Sequence, residues 1–340
     1  MIAIDGALGE GGGQVMRTSL ALSAITGQEV IIENIRKNRP KPGLKQQHLT
    51  AVKAVAELCG AEVEGAAIGS QRVVFKPDEI KSGKIKYDIG TAGSITLLLQ
   101  TVMPVAAFAP DKVVFDIVGG TDVLWSPPVD YLRNVLLPML GKVGYRAELD
   151  VVRRGFYPVG GGRVRFTVRP GKLNGIELVE AGMLRSIKGV SYAAQDLKGA
   201  QVAERQANSV VALIWNEFNV TPKIAVEYSE TACPGSGIVL WLEYENSIVG
   251  ASALGERGKR SEAVGKEAFE ALKEQKGLAV DEHLGDQLVP YLALAGGESS
   301  YRAKLTGHLE TNLKVVEQFG AKASFVDVGN GTCEITIKSI

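Results

Sequence analysis

Apolar residues recur at helical spacing in three stretches of the chain, and each stretch is followed by two short runs in which apolar and polar residues alternate. In the first, Val52, Val55 and Leu58 lead to Gly60, and the alternating runs fall at 61–64 and 72–75. In the second, Tyr131-Leu132 opens a stretch through Val135, Leu136 and Met139 to Gly144, with runs at 145–149 and 164–168. In the third, His308-Leu309 leads through Leu313 and Val316 to Gly320, and the run 321–328 turns at Gly329-Asn330-Gly331 into 333–337. The pairs His48-Leu49 and His308-Leu309 stand at the same distance before Gly60 and Gly320. Glycine is the residue that most readily takes the left-handed conformation closing a helix, so the first and third copies align in register. A further apolar helix precedes each copy, at 14–25, 94–108 and 286–295. The pattern predicts a mixed α/β (α+β) protein in which three repeated α/β units pack around one another.

Between the second and third copies the pattern changes, with helices expected at 204–218 and 261–274 among strands. Residues 183–275 therefore read as a smaller inserted α/β domain, and residues 1–182 with 276–340 as the large domain of three repeats. A length of 340 residues accommodates both, and 45% hydrophobic with 22% charged residues fits a globular chain rather than a disordered one. Lys plus Arg equals Asp plus Glu at 38 each, so any contact with nucleic acid must be local. Three widely spaced cysteines, Cys59, Cys233 and Cys333, suit neither a disulfide framework nor a cysteine metal site and point to a reducing compartment. Met1 leads straight into Ile2-Ala3-Ile4-Asp5 without a signal-like segment, and no apolar run is long enough to span a membrane, so a cytoplasmic location is expected.

Five constellations are capable of chemistry. Gly9-Glu10-Gly11-Gly12-Gly13-Gln14 puts glycines before a helix, where backbone N–H groups suit either a phosphate or an ordinary turn. Glu10 within it is either solvated or a carboxylate for a hard divalent cation shared with phosphates. Residues 36–45 carry Arg36, Lys37, Arg39, Lys41 and Lys45 around Pro40 and Pro42, a stiff basic loop that, with Arg17, is either solvated or a phosphate clamp. Gly93-Ser94 opens a helix in which Gln100 stands among leucines, so its amide either bridges interior backbone or meets a nucleotide. Asp281 to Gln287 gathers three carboxylates, an imidazole and an amide at a helix start, suited to capping, to a metal or to a nucleotide. The chain has three histidines, and a helix start favours the uncharged imidazole that a nucleophile needs. Both His48 and His308 occupy such starts, and physical reasoning alone does not choose between them.

Taken in order, these segments resemble the RNA 3′-terminal phosphate cyclase family. The resemblance runs from Asp5-Gly6-Ala7 and 9–14 through Lys41-Pro42-Gly43-Leu44, Gln47-His48-Leu49-Thr50-Ala51, Gly93-Ser94 to Gln100-Thr101-Val102, and Gly155-Phe156-Tyr157-Pro158 with Gly160-Gly161-Gly162. It ends at Asp286-Gln287-Leu288 and His308-Leu309-Glu310-Thr311-Asn312. It implies an architecture related to the enolpyruvyl transferases. It also implies that ATP adenylylates His308, that AMP passes to an RNA 3′-terminal phosphate, and that the neighbouring 2′-hydroxyl displaces AMP to leave a 2′,3′-cyclic phosphodiester. Carried over to matching positions, Gln100, Pro127, His283, Leu284, Gly285, Asp286 and Gln287 would meet ATP. Arg17, Arg36, Arg39 and Gln47 would meet RNA and phosphates, and Glu10 would hold Mg²⁺ or Mn²⁺. His283 departs from the Tyr that many relatives carry there. A non-catalytic branch of such proteins serves RNA processing or ribosome assembly as binding factors; His308 argues against that alternative.

Overall fold

The computed structural model describes residues 1–9 and 12–340. The first unit runs β1 (Ile2–Asp5), α1 (Gln14–Thr26), β2 (Val30–Glu33), α2 (Gln46–Cys59), β3 (Glu62–Glu64) and β4 (Val73–Lys76). Its sheet has the order β1-β2-β4-β3, with β1 parallel to β2 and the other neighbours antiparallel. The second unit repeats it as β5 (Gly83–Asp88), α3 (Ile95–Ala106), β6 (Val113–Gly119), the helical segments α4 (Val129–Tyr131) and α5 (Leu137–Lys142), β7 (Arg146–Arg153) and β8 (Gly162–Arg169). The order β5-β6-β8-β7 and the strand directions are the same. A wide i→i+5 turn over Leu132–Leu136 joins α4 to α5. It lies just before Pro138, which has no N–H for the normal helical bond and whose ring crowds the preceding turn.

The third unit opens with β9 (Glu177–Leu178) and is then interrupted. The chain leaves through β10 (Leu184–Ala194), α6 (Val202–Phe218), β11 (Lys223–Ser229), β12 (Ser236–Tyr244), β13 (Ile248–Leu254) and α7 (Ser261–Lys273). These strands form their own sheet, β11-β10-β12-β13. A separate core lies between it and the two helices, where Ile187, Ile214, Leu240, Val264 and Leu272 meet. The unit then resumes with α8 (Glu282–Leu294), β14 (Glu298–Lys304), α9 (Gly307–Gln318), β15 (Lys322–Gly329) and β16 (Thr332–Lys338). β9 pairs parallel with β14, giving the order β9-β14-β16-β15.

Each repeat is thus strand–helix–strand–helix–hairpin. The sequence pattern suggested a repeat beginning with a helix and an insertion between the second and third copies; the insertion instead lies inside the third. β9 has two residues, too few to carry any periodicity. We propose residues 183–275 as the extent of the inserted domain.

The first helices of the three units, α1, α3 and α8, are buried along most of their length and line one continuous core. Helices so nearly apolar all round have no solvent face to offer, so they occupy the centre. Strands show the other pattern: Val164, Phe166 and Val168 of β8 face inward, while Arg163, Arg165 and Arg169 face out. Gly60 and Gly320, read from the sequence as helix closers, have φ of +61° and +105°.

Candidate active site

Hydrogen bonds tie the N-terminal ends of α1, α8 and α9 to one another and those of α2 and α3 to each other, and His48 of α2 lies against Gly13 at the start of α1, so the positive ends of five helix dipoles gather in one region. α9 is capped by Thr306, whose hydroxyl accepts from the Leu309 N–H at 3.1 Å. Leu309, Leu313 and Val316 bury the inner stripe of the helix, which leaves His308 on the exposed side of its first turn. His308 Nδ1 is 2.7 Å from Oε1 of Gln14, itself buried at the start of α1. Gln14 Nε2 donates to Asp286 Oδ2 at 2.7 Å and to the His308 carbonyl at 3.2 Å.

The Gln14 amide selects between the two neutral tautomers of His308. Asp286 as a carboxylate and the His308 carbonyl can only accept, so the NH₂ of Gln14 must face them and its oxygen must face His308. His308 Nδ1 is then the protonated nitrogen, and Nε2 carries the lone pair. Asn312, one turn further along α9, accepts from the Thr18 hydroxyl and donates to the Asp286 carbonyl, both at 2.8 Å. It thereby locks α9 to α1 and α8. Gly9 backs onto Thr311 of α9 with φ of +60°, and a Cβ there would come within 2.0 Å of the Thr311 hydroxyl. Any larger residue would push the glycine loop away from α9.

His48, also at a helix start, has the opposite arrangement. Its Nδ1 accepts from the Lys45 N–H at 3.2 Å, the side-chain-to-N-cap half of a capping box at the N-terminus of α2. The neutral ring therefore carries its proton on Nε2, which stands where a Cβ on Gly13 would approach to 2.5 Å. Burial, reinforced by the positive charges of Arg17, Arg36 and Lys45, pushes the His48 pKa down to about 3. Burial likewise lowers Arg17 to about 10, against the opposing attraction of Asp286, so Arg17 stays charged at neutral pH. His48 is thus a fixed N–H donor beside a guanidinium.

Arg36 and Arg39 divide the basic loop between them. Arg36 is buried with φ of +55°, and its Nη1 donates to the carbonyls of Lys41 and Gly43, each at 2.8 Å. That guanidinium folds the loop. Arg39 extends from the same loop toward the glycine segment, where a Cβ on Gly12 would lie 3.3 Å from its Nη2. Gln47 reaches across to α3, its Oε1 accepting from the Ser94 N–H at 3.0 Å. Ser94 in turn caps α3 by accepting from Leu97 N–H.

The residues assigned to ATP by resemblance separate into two groups. The Thr96 hydroxyl donates to the Pro127 carbonyl at 2.8 Å, and Gln100, one turn on, shares that face of α3. On α8, Asp281 is the N-cap: its wholly buried carboxylate accepts from the N–H groups of His283 and Leu284, from the Tyr131 hydroxyl at 2.6 Å and from Gly250 N–H at 2.8 Å. Desolvation raises its pKa. His283 is exposed and meets the Tyr131 ring edge-on with centroids 5.7 Å apart. Asp286 is half-buried on Gln14, and Gln287 is buried. Leu284 and Gly285 have a different place: Leu284 is in the core, and Gly285 packs against Ala303 while its carbonyl accepts from Tyr301. Their amides are bonded to Asp281. These two set the packing of α8 rather than offering a side chain to the site.

Glu10 lies outside the described residues. Among the described residues, no three His, Cys, Asp or Glu side chains gather in a way that would hold a metal ion. Sequence reasoning gave no role of their own to Gln14 or Thr18, and met Asp281 only within the 281–287 cluster, for which capping was one of three readings. A signal existed for the first two: polar residues at i and i+4 in an otherwise apolar helix ask for partners.

Comparison with known proteins adds three findings. A family model described as RNA 3′-terminal phosphate cyclase matches residues 8–325. Curated proteins named RNA 3′-terminal phosphate cyclase are similar along almost the whole chain. That of Methanopyrus kandleri is 50% identical, covering 94% of this chain and 93% of its own. That of Hyperthermus butylicus is 48% identical, covering 100% and 98%, and that of Pyrococcus abyssi 50%, covering 96% and 95%. Among solved structures, the EPSP synthase of Acinetobacter baumannii aligns at 11% identity with a TM-score of 0.32, over 96% of this chain and 45% of that one.

Proposed function

The chain belongs to the RNA 3′-terminal phosphate cyclase family, and from that premise we propose that it is an ATP-consuming ligase converting an RNA 3′-terminal phosphate into a 2′,3′-cyclic phosphodiester. His308 is the nucleophile in this reading, and the supporting observation is the opposite tautomers of the two site histidines. His308 presents the Nε2 lone pair because Gln14 takes its Nδ1 proton, whereas His48 presents an N–H because Lys45 takes its Nδ1 lone pair. An imidazole without a free electron pair on the exposed nitrogen is no nucleophile.

The reaction then runs in three in-line displacements. Nε2 of His308 attacks the α-phosphorus of ATP, a P–N bond forms and diphosphate leaves. As the ring becomes cationic, Gln14 holds the Nδ1 proton, and Asp286 behind the Gln14 amide supplies a compensating negative charge. An oxygen of the RNA 3′-phosphate next attacks the same phosphorus, breaking the P–N bond and giving an RNA–pp–adenosine end. Finally the 2′-hydroxyl attacks the RNA phosphorus, loses its proton and expels AMP. Beyond the P–N bond made and broken at His308, each step is governed by positioning and charge neutralisation.

The protein's cations and helix ends fit that demand. The N-cap of α1 is Gly13, which has no side chain to occupy the free N–H groups of the first turn, so these remain suited to phosphate oxygens. Arg17, Arg39 and the Nε2–H of His48 converge on the same glycine segment. Gln47 and the loop built around Arg36 complete the RNA end. Gln100, Pro127, His283, Asp286 and Gln287 serve ATP, with Leu284 and Gly285 positioning the first turn of α8.

Glu10 is the carboxylate we assign to Mg²⁺ or Mn²⁺, shared with substrate phosphates; among the described residues the glycine segment meets the Thr311 hydroxyl and the Arg39 guanidinium, and of these only the hydroxyl is an oxygen donor. The ion would neutralise phosphate charge. A cytoplasmic location belongs to this reading, and the unbridged Cys59, Cys233 and Cys333 suit a reducing compartment. No helix among the described residues is long and apolar enough to cross a membrane.

The test is adduct formation. Incubation with ATP labelled at the α-phosphate, without RNA, should give an acid-labile protein–AMP bond that is absent in His308→Ala. An adduct that persists in His308→Ala would remove the assignment.

A further inference from the structure

Two large aromatic side chains stand in solvent beside this site. Trp125 is 84% exposed and Tyr157 73%. Trp125 also holds φ at +65°, a conformation that a bulky residue keeps only where its surroundings impose it. Neither ring sits on a loose loop. The Trp125 loop is pinned by Thr121 N–H on the Gly155 carbonyl at 2.9 Å, Val129 N–H on the Thr121 carbonyl at 3.1 Å and the Thr96 hydroxyl on Pro127. The Tyr157 loop is anchored by Phe156, buried and stacked on Tyr192, and by Gly160, where a Cβ would come within 2.8 Å of Ala92 Cα. A bridge between Asp122 and Phe156 pairs the two loops. Both close on the N-terminus of α3, where Gln47 meets Ser94. The Arg153 guanidinium flanks them, donating from Nε to the Gly161 carbonyl at 2.8 Å.

We propose that this ledge carries the RNA strand away from the reacting end, with bases upstream of the 3′-terminal nucleotide stacking on Trp125 and Tyr157; the proposal rests on the cyclase reading above. Rigid exposed π-faces with a cation beside them suit single-stranded RNA, because every base has a face to stack and none need be read by sequence. A chain with no net positive field gains strand affinity in this way without long-range attraction. The ledge is continuous with the phosphate end through Gln47. Two rings on separate loops match successive bases better than the single adenine of ATP, which one ring would serve.

Trp125→Ala, Tyr157→Ala and Trp125→Phe test this, titrated with a short 3′-phosphorylated oligoribonucleotide while tryptophan fluorescence is followed. In wild type the oligonucleotide should quench fluorescence, and that quench should be lost in Trp125→Ala. Each alanine variant should bind the oligonucleotide about fivefold more weakly or worse, and Trp125→Phe, which keeps a stacking face, should lie near wild type. AMP-adduct formation from ATP alone is measured on the same proteins. Oligonucleotide affinity within about twofold of wild type in both alanine variants would overturn the proposal. So would a defect confined to the ATP dependence of adduct formation, since that assigns the rings to adenine. Failure of wild type itself to form the adduct would remove the cyclase reading first.

Discussion

At the scale of single residues, two histidines at similar helix starts differ by which nitrogen their neighbours engage. Gln14 is the residue on which the assignment of His308 depends. Gln14→Ala should keep the fold while slowing AMP-adduct formation by about 10- to 150-fold, the worth of a hydrogen bond to a group that becomes charged; single-turnover labelling measures it. His48 makes a prediction about pH. Its pKa falls from 6.5 in the unfolded chain to about 3 in the folded one, so between those values the unfolded state binds more protons. The contribution of neutral His48 is therefore complete above pH 6.5 and is lost as pH falls toward 3. Denaturant midpoints across that range should fall less steeply for His48→Gln than for wild type; equal slopes would contradict the burial argument. The sequence brought both histidines to notice but left them equivalent, because the difference lies in Gln14 and Lys45, one of them 294 positions away from its partner.

Helix starts are the elements that matter most, and their caps carry more than local stability. Asp281 caps α8 and also accepts from Tyr131 of the second repeat and Gly250 of the inserted sheet. Asp281→Ala removes a cap and strands a buried hydroxyl and a buried amide, so a loss of about 2–4 kcal/mol is expected in urea unfolding. Asp281→Asn, which keeps an accepting oxygen, should recover part of it. The helices were legible in the sequence: α1, α6 and α7 lie within about two residues of their expected spans, because their apolar spacing is regular, with Gly27 closing α1 and Asn219 closing α6 in the left-handed conformation. α8 was expected from 286 and begins at Glu282, since its capping aspartate lies among carboxylates that gave no single start. Strands were less legible. β5 reads Gly-Lys-Ile-Lys-Tyr-Asp, an alternation with few apolar residues, and β9 is too short for any pattern. The equivalence of the three sheets therefore emerged only from strand pairing.

Across the whole molecule, three sheets of one topology put their helices into a common core, and that arrangement brings helix starts from the first, second and third repeats to one region. The inserted domain is fastened to the repeats by Arg154, which is nearly wholly buried between Asp130 at 2.7 Å, Asp122 at 3.4 Å and Glu227 of β11 at 2.9 Å, and lies over the Tyr192 ring. Those carboxylates hold its pKa above the usual arginine range. Arg154→Leu would leave Asp122 buried without a cation and Asp130 with Arg133 alone, and should cost about 3–5 kcal/mol, seen as a lower urea midpoint. Nothing in the local sequence marked Arg154, because its partners come from distant segments. The most direct test of the central claim is cyclisation itself. RNA carrying a labelled 3′-phosphate is incubated with ATP, Mg²⁺ and either wild type, His48→Ala or His308→Ala, and the label is then challenged with phosphatase. The expected result is a resistant label with wild type, a reduced yield with His48→Ala and none with His308→Ala. A resistant label formed by His308→Ala, or none formed by wild type, would contradict it.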